Sequence, residues 1–146
     1  EYGSNFVKTM LCLMRQRSEL KVVNDQIGSP TSVHTLAHYL FELIHTGAKP
    51  GVYHWCDGGE ISWFHFAQEI YQQGKAEGLL EGEVAVQPIA GADYPTPATR
   101  PAYSVLDRGT SLTIMGGTAK TWQAALKLVL INLARMTREP QGYHHE

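Results

Sequence analysis

The amino-acid sequence predicts an α/β fold with about four helices and three or four short strands. The first observation behind this prediction is that helical and extended apolar patterns alternate along the chain, which is typical of α/β proteins. The second is composition, since 43% of the 146 residues are hydrophobic and 18% are charged, as in folded domains. The length indicates one domain with a core of its own.

Two helices and one strand are predicted over residues 5–47. The first helix begins after a cap at Ser4 or Asn5 and has apolar side chains at helical spacing. A short strand covers 20–23, and a turn-rich segment covers 24–31. The second helix ends at Gly47. It carries a wide apolar stripe, formed by Val33, Leu36, Ala37, Leu40, Phe41 and Ile44.

The remaining elements alternate in the same way. A strand is predicted at 51–56, a turn at 57–60, and a third helix from a cap at Ser62 to an end at Gly74. Another strand covers 84–89, and a last helix begins at Thr118 or Thr121. Residues 1–136 are therefore assigned to one domain, and the polar residues 137–146 to a frayed tail.

Charge and hydropathy exclude two classes of partner. The net charge is -2 and the 12 basic residues are scattered, so we expect no nucleic acid partner. No apolar run approaches the roughly 18 residues that cross a bilayer, and no signal peptide is present. We therefore expect no membrane partner and a cytoplasmic location, with Cys12 and Cys56 as buried, reduced thiols. The sequence lacks an initiator Met, which indicates a piece of a longer protein.

The segment 94–101 carries three prolines in eight residues and predicts a stiff, ordered loop. Each proline fixes its own φ and steers the preceding residue away from helix. The loop presents one guanidinium, that of Arg100, and a held guanidinium pairs bidentately with phosphate oxygens. A solvated Arg100 on a proline-braced surface loop explains this segment alone equally well.

Tyr71 and Lys75 match the Tyr-x-x-x-Lys spacing by which short-chain dehydrogenases pair a catalytic tyrosine with a lysine. That chemistry needs both groups on one face of a rigid helix. Here Gly74 lies between them where the helix is predicted to end, and Tyr71 belongs to the apolar stripe. We therefore assign both residues structural roles.

Acidic and histidine side chains give two further candidates for chemistry, and both favour structural explanations. The polar face of the second helix carries His34, His38, Glu42 and His45, but a zinc site needs three or four converging ligands with supporting hydrogen bonds. Asp57 and Glu60 could be paired carboxylates, and turn chemistry explains both. We expect no metal site.

Two segments could bind an anionic sugar together with Arg100. The amino terminus of the first helix, with Asn5, Phe6 and Lys8, offers backbone amides, the helix dipole and one ammonium. The turn at 26–31 offers an amide, hydroxyls and exposed backbone. No dinucleotide-binding glycine motif, P-loop or nucleophile elbow occurs in the chain. We therefore expect no cofactor site and no catalytic residue within it.

Five segments in order resemble the C-terminal half of the dTDP-4-dehydrorhamnose reductases, which are similar to extended short-chain dehydrogenases. They are NFVKTML at 5–11, VVNDQIGSPT at 22–31, GVYH at 51–54, SWFxFA at 62–67 and YPTPAxRPxYSVLD at 94–107. The resemblance covers residues 2 to about 130. It implies that a Rossmann half, which binds NADPH or NADH and carries catalytic Thr, Tyr and Lys, is missing from this chain.

The resemblance implies that the whole enzyme reduces the C4 keto group of dTDP-4-dehydro-L-rhamnose to give dTDP-L-rhamnose. This chain would be the substrate-binding portion, inactive alone, with the dTDP-sugar as its partner. The residues carried over are Asn5, Phe6 and Lys8 near the nucleotide diphosphate, Gln26 and Gly28 as pocket wall, and Arg100 as phosphate partner. One departure is Thr35, where the family usually has Asp to position the second helix.

A non-catalytic binding module is the alternative function, because the regulatory subunit of methionine adenosyltransferase is similar to these reductases and keeps an Arg-Pro…Leu-Asp segment. The Tyr-Pro-Thr-Pro run and the Asp-Gln-x-Gly-x-Pro-Thr turn favour the reductase. In either case the apolar stripes of the helices are wider than a sheet of three or four short strands can cover. We expect some helix faces to be exposed, or covered by a second copy in a homo-oligomer.

Overall fold

The computed structural model describes residues 3–94, 96–117 and 119–138. Over these residues the chain is an α/β fold with five α-helices, four short strands and a 3-10 turn at Gly91–Asp93. The helices are α1 Phe6–Gln16, α2 Val33–His45, α3 Trp63–Ala76, α4 Gly109–Ile114 and α5 Trp122–Arg138, and the strands are β1 Glu19–Val23, β2 Ile27–Gly28, β3 Ile61–Ser62 and β4 Ala85–Ile89. None of the described helices is both long and apolar enough to cross a membrane.

The strands form two separate two-stranded sheets. β1 and β4 pair in parallel, with Glu19 opposite Ala85 and Val23 opposite Ile89. β2 and β3 pair antiparallel over two residues each. The predicted strands at 20–23 and 84–89 are thus confirmed to within one residue, whereas the two-residue strands are too short to leave a period-two pattern in the sequence.

The core is built around α3, which packs on α1, on α5 and on the β1–β4 sheet. Ala67 and Ile70 on α3 and Leu130 on α5 are fully buried. The predicted end of this helix at Gly74 is wrong, because α3 continues to Ala76. A Cβ on residue 74 would lie 3.1 Å from side-chain atoms of both Leu11 and Leu80, so Gly74 permits close packing rather than ending the helix.

The predicted capping residues are those the structure uses. The Asn5 side chain accepts from the amide of Lys8 at 3.0 Å, and that of Ser62 accepts from the amide of His65 at 3.2 Å. Thr121 caps α5 by accepting from the amide of Ala124 at 3.3 Å. Thr118, the other candidate, and the predicted tail beyond 138 lie outside the described residues.

The predicted strand at 51–56 is not formed. No neighbouring strand pairs with this segment among the described residues, and an extended chain without a partner forms no ladder. It is held by side chains instead: Ser111 donates to the carbonyl of His54, and Arg108 donates to that of Cys56 at 3.3 Å. Cys56 is buried as predicted, but Cys12 is exposed.

A fifth helix, α4, was not predicted. Its six residues are too few to show helical periodicity, and it is held by Asp107 and by Ser111. Asp107 accepts from the Gly109 amide at 2.9 Å, and the buried hydroxyl of Ser111 lies 2.8 Å from the Tyr39 hydroxyl. The tertiary contact with Tyr39 therefore stabilises a helix that the local sequence pattern does not predict.

The apolar stripe of α2 faces away from the core, which confirms the expectation of an exposed helix face. Val33, Phe41 and Ile44 are 70%, 74% and 77% exposed, while Tyr39 on the opposite side is 2% exposed and stacks on Trp55. Thr35 donates to the Ser32 carbonyl at 2.8 Å, a local bond within the first turn. α2 thus presents to solvent the face that periodicity alone would assign to a core.

Tyr71 and Lys75 have a structural role, because both bind one carboxylate in the loop before β4. The Tyr71 hydroxyl donates to Glu83 at 2.7 Å, and the Lys75 ammonium lies 2.5 Å from the other oxygen of Glu83. Hydrogen bonds from Lys75 and then from Tyr71 lower the pKa of Glu83, and the hydrogen bond to Glu83 raises the pKa of Lys75. The pair fixes the loop to α3.

Replacing Glu83 by Gln should lower the thermal unfolding midpoint of the chain at neutral pH by a small amount, since the pair is mostly exposed. The folded-state pKa of Glu83 is lowered, so its contribution is present above the unfolded value of about 4.3 and is lost as pH falls through the folded value. Thermal melts between pH 3 and pH 7 check this, with the exposed Glu81→Gln as matched control. A midpoint difference that does not shrink as the pH falls below the unfolded value would contradict the assignment.

Candidate functional site

A groove of about 780 Å³ lies between α1, β1, the first residue of α3 and the loop after β4. One wall comes from α1 and β1 and combines apolar side chains with the charged Glu19 and Lys21. The opposite wall carries polar and charged side chains of the loop. We call this space the α1–loop groove; its lining includes Phe6, Met10, Leu13, Arg17, Val23, Gln26, Trp63, Tyr94, Thr96 and Arg100.

Hydrogen bonds to the segment 25–27 hold the loop in place. Both carboxylate oxygens of Asp25 accept from the amide of Gly91 at 2.9 Å. The amide of Ile27 donates to the carbonyl of Ala102 at 2.8 Å, and its carbonyl accepts from the amide of Ser104 at 2.9 Å. The proline segment is thus tied at both ends to one short stretch of chain, which fixes where Arg100 lies.

Gly91 lies close to the side chains of the segment 25–26. A Cβ there would lie 3.0 Å from the side-chain ends of both Asp25 and Gln26, so a larger residue would displace these groups by a few tenths of an ångström. Gln26 also lines an adjoining space of about 380 Å³ together with Arg100. Gln26 and Arg100 therefore line two adjoining spaces.

Three of the six sequence-predicted site residues meet in the α1–loop groove, namely Phe6, Gln26 and Arg100. Arg100 is exposed and forms no hydrogen bond or ion pair with another residue of the described part of the chain. An unpaired guanidinium at the rim of a groove is a ready partner for an anionic group.

The other three predicted residues do not line this groove. The side chain of Asn5 caps α1, and the ammonium of Lys8 donates to the carbonyl of Gly3 at 3.3 Å. Gly28 lines a separate cleft of about 170 Å³ beside Trp63 and Ser104. A Cβ on Gly28 would lie 3.2 Å from the Ser104 hydroxyl, so Gly28 permits the close passage of the proline loop.

Sequence reasoning missed three lining residues of the α1–loop groove: Arg17, Trp63 and Tyr94. Trp63 belongs to the SWFxFA segment but was not among the predicted site residues; it is the first residue of α3 and is 41% exposed. Its signal in the sequence was its place directly after the Ser62 cap. Arg17 is the residue that follows the last turn of α1, where a basic side chain also complements the helix dipole.

The carboxylates Asp57 and Glu60 form no catalytic pair, because each binds a different partner. Asp57 is buried and accepts from the amide of Ser32 at 2.9 Å. Glu60 accepts from the Tyr103 hydroxyl at 2.5 Å, and this hydrogen bond raises the pKa of Tyr103. Both contacts position the turn at 57–60 against neighbouring segments and leave no acid–base couple.

On the polar face of α2, the His38 ring lies 3.9 Å from Glu42. Among the described residues no group of three or more His, Cys, Asp or Glu side chains is arranged to hold a metal ion. The side chains that the structure gathers for binding are therefore those of the α1–loop groove. They include aromatic, amide and guanidinium groups that suit a flat, anionic ligand, together with the carboxylates of Glu19 and Asp93 and the ammonium of Lys21.

The family model of the RmlD substrate binding domain matches residues 1–135. Among curated proteins, the chain is 42% identical over 132 residues to the dTDP-4-dehydrorhamnose reductase of Aggregatibacter actinomycetemcomitans, covering 87% of this chain and 45% of the relative. It is 39% identical over 125 residues to the spore coat polysaccharide biosynthesis protein SpsK of Bacillus subtilis, covering 86% of this chain and 41% of the relative.

Two solved structures of dTDP-4-dehydrorhamnose reductases have the same fold. The one from Bacillus anthracis, in complex with NADP, gives a TM-score of 0.80 at 37% identity and covers 90% of this chain and 44% of its own. The one from Clostridium acetobutylicum gives 0.79 at 39% identity, covering 92% and 45%. This chain therefore spans about half the length of the curated relatives it matches. These relatives favour the reductase over the regulatory module.

Proposed function

The chain belongs to the RmlD substrate binding domain family, and we propose that it is the nucleotide-sugar-binding portion of an NADPH-dependent dTDP-4-dehydrorhamnose reductase. The observation that carries this proposal is the α1–loop groove, which gathers Phe6, Gln26 and Arg100 in a chain matched along nearly its whole length by the family. In the proposed reaction the C4 keto group of dTDP-4-dehydro-L-rhamnose becomes the C4 hydroxyl of dTDP-L-rhamnose.

The task of this chain in that reaction is to hold the substrate. Arg100 binds the diphosphate through its planar fork, and the Gln26 amide donates to phosphate or sugar oxygens on the same side. The amino terminus of α1, with Asn5 and Lys8, adds a positive potential nearby. Holding the nucleotide fixes where the keto group lies, and that positioning is what the chain contributes to the rate.

The rest of the reaction belongs to a Rossmann half that we propose for the longer parent protein. NADPH, or NADH, bound to that half supplies the hydride, and its Thr, Tyr and Lys residues supply the proton. Residues 1–136 form the substrate-binding domain and 137–146 a tail. We propose a cytoplasmic location for the parent, where the thiols of Cys12 and Cys56 stay reduced.

We further propose that the exposed face of α2 packs on the Rossmann half in the parent. Exposed apolar patches of this kind mark interaction sites, and the segment 51–56 beside Tyr39 pairs with no strand among the described residues, so a neighbouring sheet could pair with it. In the isolated chain a second copy covers the α2 face, which gives a homo-oligomer.

Charged substitutions on this face should convert the isolated chain to a monomer. The double variant Phe41→Asp, Ile44→Asp places two carboxylates on the apolar stripe, where burial against a second copy would desolvate them. Light scattering at high micromolar concentration measures the mass. The double variant Gln123→Asp, Lys127→Glu on the exposed side of α5 is the control and should keep the oligomer. A monomeric unmodified chain would refute this part of the proposal.

The isolated 146-residue chain should oxidise no NADPH with dTDP-4-dehydro-L-rhamnose, whereas the parent should. The chain holds no dinucleotide-binding motif, so nothing in it would position a hydride donor. Absorbance at 340 nm over a range of protein concentrations tests both proteins. Turnover by the fragment in proportion to its concentration would show that the chain carries catalytic groups, and Tyr71 and Lys75 would be the first to substitute.

In the parent, Arg100→Ala should weaken dTDP binding roughly ten- to a hundredfold, since a charge-assisted hydrogen bond contributes about 1.5 to 3 kcal/mol. NADPH binding and the unfolding midpoint should stay close to wild type, because the guanidinium forms no hydrogen bond or ion pair with the described part of the chain. Arg100→Lys should recover only part of the affinity, since an ammonium cannot form the bidentate pair. Calorimetric titration with dTDP, beside thermal melts, checks the three proteins. Unchanged dTDP affinity in Arg100→Ala would remove Arg100 from the site.

A further inference from the structure

Trp63 is a large aromatic side chain that the fold leaves accessible in the α1–loop groove. It is the first residue of α3 and is 41% exposed, whereas Phe66, one turn later on the same helix, is 6% exposed. Its ring borders the same groove as Gln26 and Arg100. An accessible tryptophan face at a groove is a stacking surface for a flat ligand group.

The Trp63 ring is held in place by a row of aromatic side chains that reaches into the core. Its centroid lies 4.7 Å from that of Phe6, and Phe6 stacks on Phe66 at 5.5 Å with an interplanar angle of 14°. Phe66 in turn meets the buried Trp122 edge-on at 5.6 Å. A ring supported in this way loses little conformational entropy when a ligand stacks on it.

The backbone under Trp63 is fixed as well. The preceding residue, Ser62, caps α3 and is 2% exposed. Its hydroxyl lies 2.7 Å from the side-chain oxygen of Asn24 and 2.8 Å from Nδ1 of His65. Asn24 is next to Asp25 and Gln26, so the same short segment that holds the proline loop also holds the start of α3.

We propose that Trp63, supported by Phe6, is the platform on which the pyrimidine base of the nucleotide sugar stacks, so that it determines recognition of the nucleoside. This rests on the proposed function. The groove that Trp63 lines also includes the apolar side chains of Met10 and Val23, and an apolar lining suits the face of a base better than sugar hydroxyls. Arg100 on the loop binds the diphosphate, so that Trp63 and Arg100 together recognise the base and the phosphates of one nucleotide.

Two ligands distinguish the proposed role of Trp63 from that of Arg100: dTDP, which has a base, and pyrophosphate, which has none. In the full-length parent, Trp63→Ala should weaken dTDP binding roughly 5- to 150-fold, the loss expected when one base–aromatic stack is removed. The inhibition constant of inorganic pyrophosphate against NADPH oxidation should stay unchanged, because pyrophosphate has no base. Trp63→Phe should keep most of the dTDP affinity, since it retains an aromatic face.

Calorimetric titration with dTDP and steady-state inhibition by pyrophosphate provide the two measurements, with thermal melts on every variant. Tyr103→Phe is the matched control, because Tyr103 is an exposed aromatic residue outside the α1–loop groove lining and should leave both constants unchanged. Should Trp63→Ala fail to fold, Trp63→Phe and Trp63→Leu replace it. We then expect the dTDP dissociation constant to rise relative to the pyrophosphate inhibition constant in Trp63→Leu but not in Trp63→Phe.

Two outcomes would overturn the proposal: dTDP affinity that is unchanged without the aromatic ring, or parallel losses for dTDP and pyrophosphate. The second result would indicate a role in shaping the phosphate site or in contacting the sugar. A wild-type parent that neither binds dTDP nor reduces the keto sugar would refute the proposed function instead. The two failures are therefore distinguishable in the same experiment.

Discussion

The burial of α3 is the constraint on which the rest of the chain depends. This helix lies between α1 on one side and α5 on another, and the β1–β4 sheet packs on it as well. Its central residues Ala67 and Ile70 are fully buried, and Gly74 lets Leu11 and Leu80 approach so closely that an added methyl group would have to displace them. Because interiors are close-packed, the position of α3 fixes that of α1, and with it one wall of the groove.

The opposite wall is fixed by polar contacts rather than by apolar packing. Asp25 and Ile27 bind the backbone of the loop at Gly91, Ala102 and Ser104. These bonds engage main-chain groups, so they hold the loop without using the side chains that face the groove. Gln26 and Arg100 are left available for a ligand. A rigid core wall and a loop pinned at its ends form a common way to position binding residues.

Prediction from sequence succeeded where the information is local. The Asn5 and Ser62 caps are set by a side chain and an amide three residues apart, and the helical spacing of apolar residues needs no knowledge of the partner. Prediction failed where a distant contact decides. Tyr39 and Ser111, 72 residues apart, meet to form the site at which α4 is held, and no periodicity in six residues reveals it. Trp63 is a residue type common in binding sites, but its exposure depends on how α1 and β1 are placed.

The most instructive comparison is between α2 and the segment 51–56: α2 forms as predicted and exposes its apolar face, whereas the predicted strand at 51–56 has no partner strand among the described residues. The stripe from Val33 to Ile44 has the spacing of a core helix, yet it is exposed; residues 51–56 have the composition of a strand, yet they pair with nothing described. Selection for an apolar stripe and a strand-forming segment makes physical sense only if both are buried in the working protein. The chain spans about half the length of its relatives, which supports the proposal that a Rossmann half of the parent covers both surfaces. Under that proposal, the surfaces whose pattern and burial disagree are those at which the two halves meet.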